Sequence, residues 1–347
     1  MPDPSPQLRR LPAAVSTAVL LSLSAALLLG LERPALGDDL YVTYGTSDSG
    51  NHLVEEFISS GPTGINTDAG TITNDLNTPS GIALDASGNL YVADTNSGTV
   101  TEFSPSGTNL GVLISGLTQP ADLAVDEFGN LYVASNDNNG TITELSPGGS
   151  PAVIATGLNN PTGVAIYDDT LYVSSFVDAA IYEVPLGGTG LRSFTTFVSH
   201  DGGFDDINHP VGLAFDASGD LYVVNSGLND VEEFSPMGVG KLFASNPDTT
   251  DNPTGLNNPS GIAIDSSGDV FVTNYHHDGP EHTGTSTIVE YAADGTLLDI
   301  FDVPNLRDAT YIAIDIPEPA AVSLLAIAAA SIIGFIHLRR RRQSGQS

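Results

Sequence analysis

Between residues 274 and 286 the chain reads NYHHDGPEHTGTS, which sets His276, His277, Asp278, Glu281 and His282 close together. Imidazole nitrogens and carboxylate oxygens in such a group form a donor set suited to zinc or another divalent ion. A solvated polar loop has the same make-up and is the favoured reading, because no H-E-x-x-H helix frames the histidines. SHDGGFDDINH, from 199 to 209, carries His200, Asp201, Asp205, Asp206 and His209, and SNPDTTDNPTG, from 245 to 255, adds Asp248 and Asp251. Carboxylates of this kind suit calcium, here without the fixed spacing of an EF-hand. A divalent cation, calcium or zinc, is thus the one cofactor the residues indicate. The chain has no cysteine, which removes thiol nucleophiles, thiolate metal sites and disulfides. With neither a nucleophile elbow nor a phosphate-cradling glycine loop in the sequence, no catalytic residue is assigned.

What must position these loops is a repeat. LNTPSGIALDASGNLYVAD begins at Leu76 and recurs as LTQPADLAVDEFGNLYVAS from Leu117, LNNPTGVAIYDDTLYVSS from Leu158, INHPVGLAFDASGDLYVVN from Ile207 and LNNPSGIAIDSSGDVFVTN from Leu256. Each copy gives a Pro-containing turn, a short apolar strand, a tight turn that is Asp-x-x-Gly in four of the five, and a second strand. A third strand (TVTEF, TITEL, AIYEV, DVEEF, TIVEY) and a looser fourth follow. Four short antiparallel strands at this period are the signature of a propeller blade. DDLYVTY and HLVEEF near the N-terminus match second and third strands with no first strand before them. LRDATYIAID, 306 to 315, matches a first strand with nothing after it. Pairing these two ends closes the ring without an open edge. The fold expected is an all-β six-bladed propeller over 38–316, with blades near 38–75 plus 306–316, 76–116, 117–157, 158–206, 207–255 and 256–305.

The repeated phrase resembles the NHL repeat family, over nearly all of 38–315. Asp122 and Tyr311 depart from it by replacing the glycine of the first strand, and Tyr167 to Thr170 form a shortened turn; local turn geometry is what these departures put in question. Residues that recur in every blade belong to the scaffold: Glu56, Glu102, Glu144, Glu183, Glu233 and Glu290 in third strands, with Asp85, Asp126, Asp216 and Asp265 ending first strands. Tyr91, Tyr132, Tyr172 and Tyr222 in second strands join them. The first strands offer no singular charged residue toward the channel. In a propeller, the connection into each first strand and the connection between second and third strands open on one face. His52, His200, His209, His276, His277 and His282 all fall in such connections, so His52, His200, Asp205, Asp206 and His209 are assigned to a ligand-binding face. Ring closure sets His276, His277, Glu281 and His282 beside His52.

Two terminal segments frame the repeats. Residues 1–37 carry Arg9 and Arg10, an apolar run and a small-residue cleavage site ending at Gly37, which reads as a secretory signal. Residues 317–347 carry Pro317, Glu318 and Pro319, a mostly apolar stretch 320–338 long enough to span a bilayer as a transmembrane helix, and Arg339, Arg340, Arg341 and Arg342. That order resembles the PEP-CTERM sorting signal of bacteria that make exopolysaccharide. The resemblance implies an exosortase-type processing enzyme as a partner and the inner membrane as a transient anchor; a permanent single-pass anchor is the alternative. Residues 38–316 hold 39 acids against Arg192, Lys241 and Arg307, a net charge of −36. Such a surface repels nucleic acid and attracts divalent cations.

The function these features imply is an exported cell-surface or matrix propeller that binds a glycan or a protein. The alternative is a metal-dependent lyase or hydrolase, since streptogramin lyases and gluconolactonase-like proteins resemble the chain in fold.

Overall fold

The structure is a computed structural model that describes residues 39–45, 52–59, 65–73, 76–136, 139–200, 207–245, 255–275, 286–302 and 309–315. Residues 1–37, read above as a leader, residues 317–347, read as a sorting segment, Asp205, Asp206, His276, His277, Glu281 and His282 lie outside the described residues. Among the described residues no helix is long and apolar enough to cross a membrane.

Among the described residues, twenty-four strands form six four-stranded antiparallel sheets, each a blade. Blade 1 holds β1 (Asp39–Gly45), β2 (His52–Ser59) and β3 (Ile65–Thr73). Blade 2 holds β4 (Pro79–Leu84), β5 (Leu90–Asp94), β6 (Thr99–Phe103) and β7 (Asn109–Ser115). Blade 3 holds β8 (Pro120–Val125), β9 (Leu131–Ser135), β10 (Thr141–Leu145) and β11 (Ala152–Thr156). Blade 4 holds β12 (Pro161–Tyr167), β13 (Thr170–Ser175), β14 (Ala180–Pro185) and β15 (Thr195–Ser199). Blade 5 holds β16 (Pro210–Phe215), β17 (Leu221–Asn225), β18 (Asp230–Phe234) and β19 (Gly240–Ser245). Blade 6 holds β20 (Pro259–Ile264), β21 (Val270–Asn274), β22 (Thr287–Tyr291) and β23 (Leu297–Asp302). The last strand, β24 (Ala309–Asp315), is the innermost strand of blade 1 and pairs with β1 from Asp39↔Asp315 to Thr43↔Tyr311. The first and last strands of the repeat region thus share one sheet. The strands β24, β4, β8, β12, β16 and β20 follow one another around the axis.

The turns explain why the phrase repeats. Asp85 Oδ1 accepts from the Ser87 and Asn89 amides at 2.8 and 2.9 Å, while Gly88 takes φ of 76° and returns its N–H to Asp85 O. Asp126, Asp216 and Asp265 make the same pair of contacts. In blade 4 the shortened turn has positive φ at both Asp168 and Asp169, the geometry of a tight type I′ hairpin whose twist matches its strands.

Alternating residues send each blade's apolar side chains toward both neighbours. Leu90, Val92 and Phe103 pack with Tyr41 and Val54 of blade 1, whereas Ala93 and Val100 pack with Leu123, Leu131 and Val133 of blade 3. Hydroxyls stitch the inner strands together. Ser80 Oγ donates to Pro120 O at 3.0 Å, Thr162 Oγ1 to Pro210 O at 3.0 Å and Ser260 Oγ to Ala309 O at 3.1 Å. Each ties one blade to the next, where a buried carbonyl would otherwise lack a partner.

Candidate functional site

The face assigned to ligand binding is built by backbone contacts that recur blade by blade. Thr95 N–H donates to Thr78 O, Asn136 to Gln119, Phe176 to Asn160, Ser226 to His209 and Tyr275 to Asn258, all within 2.9–3.2 Å. In each pair a residue after the second strand meets the residue just before the first strand's proline, so the two kinds of connection lie together on one face. Side chains reinforce the join. Asp94 accepts from the Asn77 and Thr78 amides at 2.7 and 2.9 Å, and Asn225 and Asn274 take the same role toward Asn208 and Asn257.

His200 and His209 lie on this face and are exposed. The His200 amide donates to Ala179 O in the second-to-third-strand connection of blade 4. His209 has φ of 52° in the pre-proline place that Gln119, Asn160 and Asn258 also hold in the left-handed region. Its ring stacks on Phe176 of the adjoining blade, centroids 4.4 Å apart and planes 20° off parallel. Val177 and Leu228, in the same connections of blades 4 and 5, are 53% and 45% exposed. His52 opens β2, paired with Gly45, at the corresponding end of blade 1. The structure therefore brings His200, His209 and Phe176 to neighbouring connections. Phe176 was missed from the sequence because it lies between repeat phrases. Among the described residues no group of three or more His, Asp or Glu is placed to hold a metal ion.

The opposite ends of the strands carry a carboxylate ladder. Tyr91 Oη lies 3.0 Å from Asp85 Oδ2 and 3.4 Å from Glu102 Oε1, and Tyr132 has Asp126 and Glu144 at 3.1 and 3.5 Å. Burial, together with these carboxylates, raises the Tyr91, Tyr132 and Tyr222 phenols above their ordinary range. The two described cations join the ladder. Arg192 reaches from blade 4 to Glu144 at 2.6 Å, and Lys241 meets Glu233 at 2.9 Å.

The axis corrects two expectations. Gly81, Gly163, Gly212 and Gly261 occupy the innermost ring, where an added Cβ would meet the backbone of the next inner strand; at Gly261 it would lie 2.7 Å from Tyr311 Cα. Asp122 and Tyr311 are the two departures from that glycine. They lie within β8 and β24, so they alter the axial ring and not a turn. A singular acid therefore does sit in a first strand at the channel. Asp122 is 6% exposed, its Oδ2 accepts from Val164 N–H at 2.9 Å, and burial pushes its carboxyl up to about 7. Tyr311 Oη donates to Thr162 O at 2.9 Å.

This geometry defines a six-bladed β-propeller, and the NHL repeat family matches residues 76–103, the second blade through its third strand. A chain from a nidogen/laminin complex matches at 19% identity with a TM-score of 0.64, over 81% of this chain and 98% of that one. A Bacteroides caccae protein of unknown function matches at 15% identity and TM-score 0.57, over 80% and 98%. Catalytically inactive virginiamycin B lyase from Staphylococcus aureus with quinupristin matches at 14% identity and TM-score 0.53, over 82% and 94%. Comparison with curated proteins yields no match.

Proposed function

We propose that the protein is an exported propeller that binds a surface glycan or a protein partner through its loop-rich face. The observation that carries this reading is the stack of exposed His209 on half-buried Phe176, with exposed Val177 following Phe176 and exposed Leu228 in the second-to-third-strand connection of blade 5. Apolar and aromatic groups held out by rigid strands favour recognition. Phe176, Val177 and Leu228 lie outside the repeated phrase, and the phrase sets His209's backbone but not its side chain.

The rest of the reading comes from the sequence. The leader carries the chain across the inner membrane, helix 320–338 anchors it for a time, and an exosortase-type enzyme acts at Pro317, Glu318 and Pro319 to deliver it to the cell surface or matrix. The same fold occurs in a nidogen/laminin complex and in a lyase with quinupristin, so fold alone favours neither binding nor catalysis.

The test uses residues 38–316, immobilised and exposed separately to exopolysaccharide and to surface-protein extract of the producing cells. Saturable binding to one of them, lost in a Val177→Asp, Leu228→Asp variant that melts like the parent, is expected. Binding unchanged by that pair of substitutions would remove the face from the proposal.

A further inference from the structure

Tyr311 belongs to the innermost strand of blade 1 and Thr162 to that of blade 4, 149 residues away in sequence. In a ring of six those blades are diametrically opposed. A phenol that bonds from one to the other must cross the axis. It does so where four blades keep glycine, in space that the other two first strands fill with side chains. Asp122 occupies the remaining place. Its Oδ1 lies over Gly81 of blade 2 and its Oδ2 accepts from Val164 of blade 4.

We propose that Asp122 and Tyr311 form a proton-operated lock across the propeller axis, which holds the ring-closing strand β24 when Asp122 is neutral and releases it first when Asp122 ionises. The groups facing Asp122 leave its charge uncompensated. β4 presents Gly81 to its Oδ1, β9 presents Ala134 as its register partner, and β12 presents the Val164 amide to its Oδ2. Tyr311 on β24 is the titratable group whose charge state responds to Asp122, and burial together with the Asp122 charge keeps its phenol protonated. Tyr91 and Asp94 on β5 and Tyr132 on β9 bond to other partners, and Tyr167 on β12 stacks on Phe215. Arg192 and Lys241, the cations among the described residues, are engaged with Glu144 and Glu233. A charge formed at Asp122 is thus buried with amide donors alone to stabilise it, which is costly. β24 buries Ala309 and Ile312 in the core, yet it is the strand that yields first because it joins blade 1 through its ladder to β1, hydroxyl contacts and Tyr311, with no chain connection directly to β1.

The sign follows from the raised carboxyl. Its contribution to stability is complete below the ordinary value of 3.8 and is lost as pH rises toward about 7. Between pH 6 and pH 8 the opening equilibrium should rise roughly ten-fold through this one group.

The experiment is hydrogen–deuterium exchange of the full chain at pH 6 and pH 8, corrected for intrinsic exchange, on wild type, Asp122→Asn and Tyr311→Phe. Wild type should lose protection in 39–45 and 309–315 at pH 8 before other strands. Asp122→Asn should show no such loss, and Tyr311→Phe should be less protected there at both pH values. If Asp122→Asn does not fold, Asp122→Gly, which restores the repeat, serves the same purpose. An equal pH response in wild type and the neutral variant, or a loss spread over all blades, overturns the lock.

Discussion

Phe271 stands directly across the ladder from Glu290, in the place where blades 2 and 3 put Tyr91 opposite Glu102 and Tyr132 opposite Glu144. Blade 6 therefore keeps the carboxylate and lacks the phenol that would donate to it. Burial first, then Asp269, Asp265 and Asp299, raise the Glu290 carboxyl to about 7. The native state holds this proton more tightly than the unfolded chain, so stability from Glu290 is complete below 4.5 and declines as pH climbs toward about 7. Phe271→Tyr should restore a donor to the charged form. We expect a gain of about 1–2 kcal/mol at pH 8 and little at pH 5, measured by urea unfolding at both. An equal gain at both values would mean that packing, not the hydrogen bond, is responsible.

The two cations of the ladder have the same partner type and should have different worth. The Arg192 side chain is 6% exposed and clamps blade 4 to Glu144 of blade 3, while its own amide donates to Ile154 O on the outer strand β11. Lys241 is largely exposed beside Glu233. Arg192→Met should cost about 3 kcal/mol by leaving Glu144 without its counter-charge, and Lys241→Met less than about 1 kcal/mol. Thermal melting of the two variants in low and high salt checks this. Only the Lys241 pair should weaken with salt.

Ring closure is the third target. β24 supplies a whole inner strand to blade 1, and Val42 and Ile312, paired across it, are both buried in the core shared with Phe271 and Ile288 of blade 6. Ending the chain after Asn305 removes a ladder and a packed face together. The truncated protein should lose several kcal/mol or fail to fold, while one ending at Ile316 should melt like the full repeat region. Equal melting of both would contradict closure by β24.

How much of this could be read beforehand depends on whether the cause is local. The Asp85 turn was legible because Asp and Gly act within four residues, and ring closure was legible because LRDATYIAID repeats a phrase whose other strands lie at the far end of the chain. The Tyr311–Thr162 bond was not, since it depends on which blades oppose each other across the axis. Its signal was nevertheless present as a missing glycine, and the error lay in assigning that glycine to a turn when it marks the close approach of inner strands. The stack of Phe176 on His209 joins a residue outside the repeated phrase to a pre-proline position whose side chain changes from copy to copy. The Arg192–Glu144 pair likewise links a variable loop of one blade to a repeated residue of another.

The histidine stretch gives the final prediction, one that separates a binding module from a metal-dependent lyase or hydrolase. His276, His277, Glu281 and His282 supply three imidazoles and a carboxylate, enough for zinc with or without a fifth donor such as His52. Imidazole ligates only when neutral, so affinity at a true site should fall as pH drops below about 6.5. The repeat region, dialysed against a mild chelator, should be titrated with zinc and with calcium by calorimetry at pH 7.5 and pH 5.5. Stoichiometric zinc binding at the higher pH that disappears when His276, His277 and His282 are all replaced by alanine would establish the site and open the enzymatic reading. Weak binding that follows ionic strength is the outcome expected if the stretch only adds to a repeat region of net charge −36, and it leaves the proposed binding role standing. Either way the triple variant should melt within about 0.5 kcal/mol of the parent, the usual range for substitutions in exposed loops.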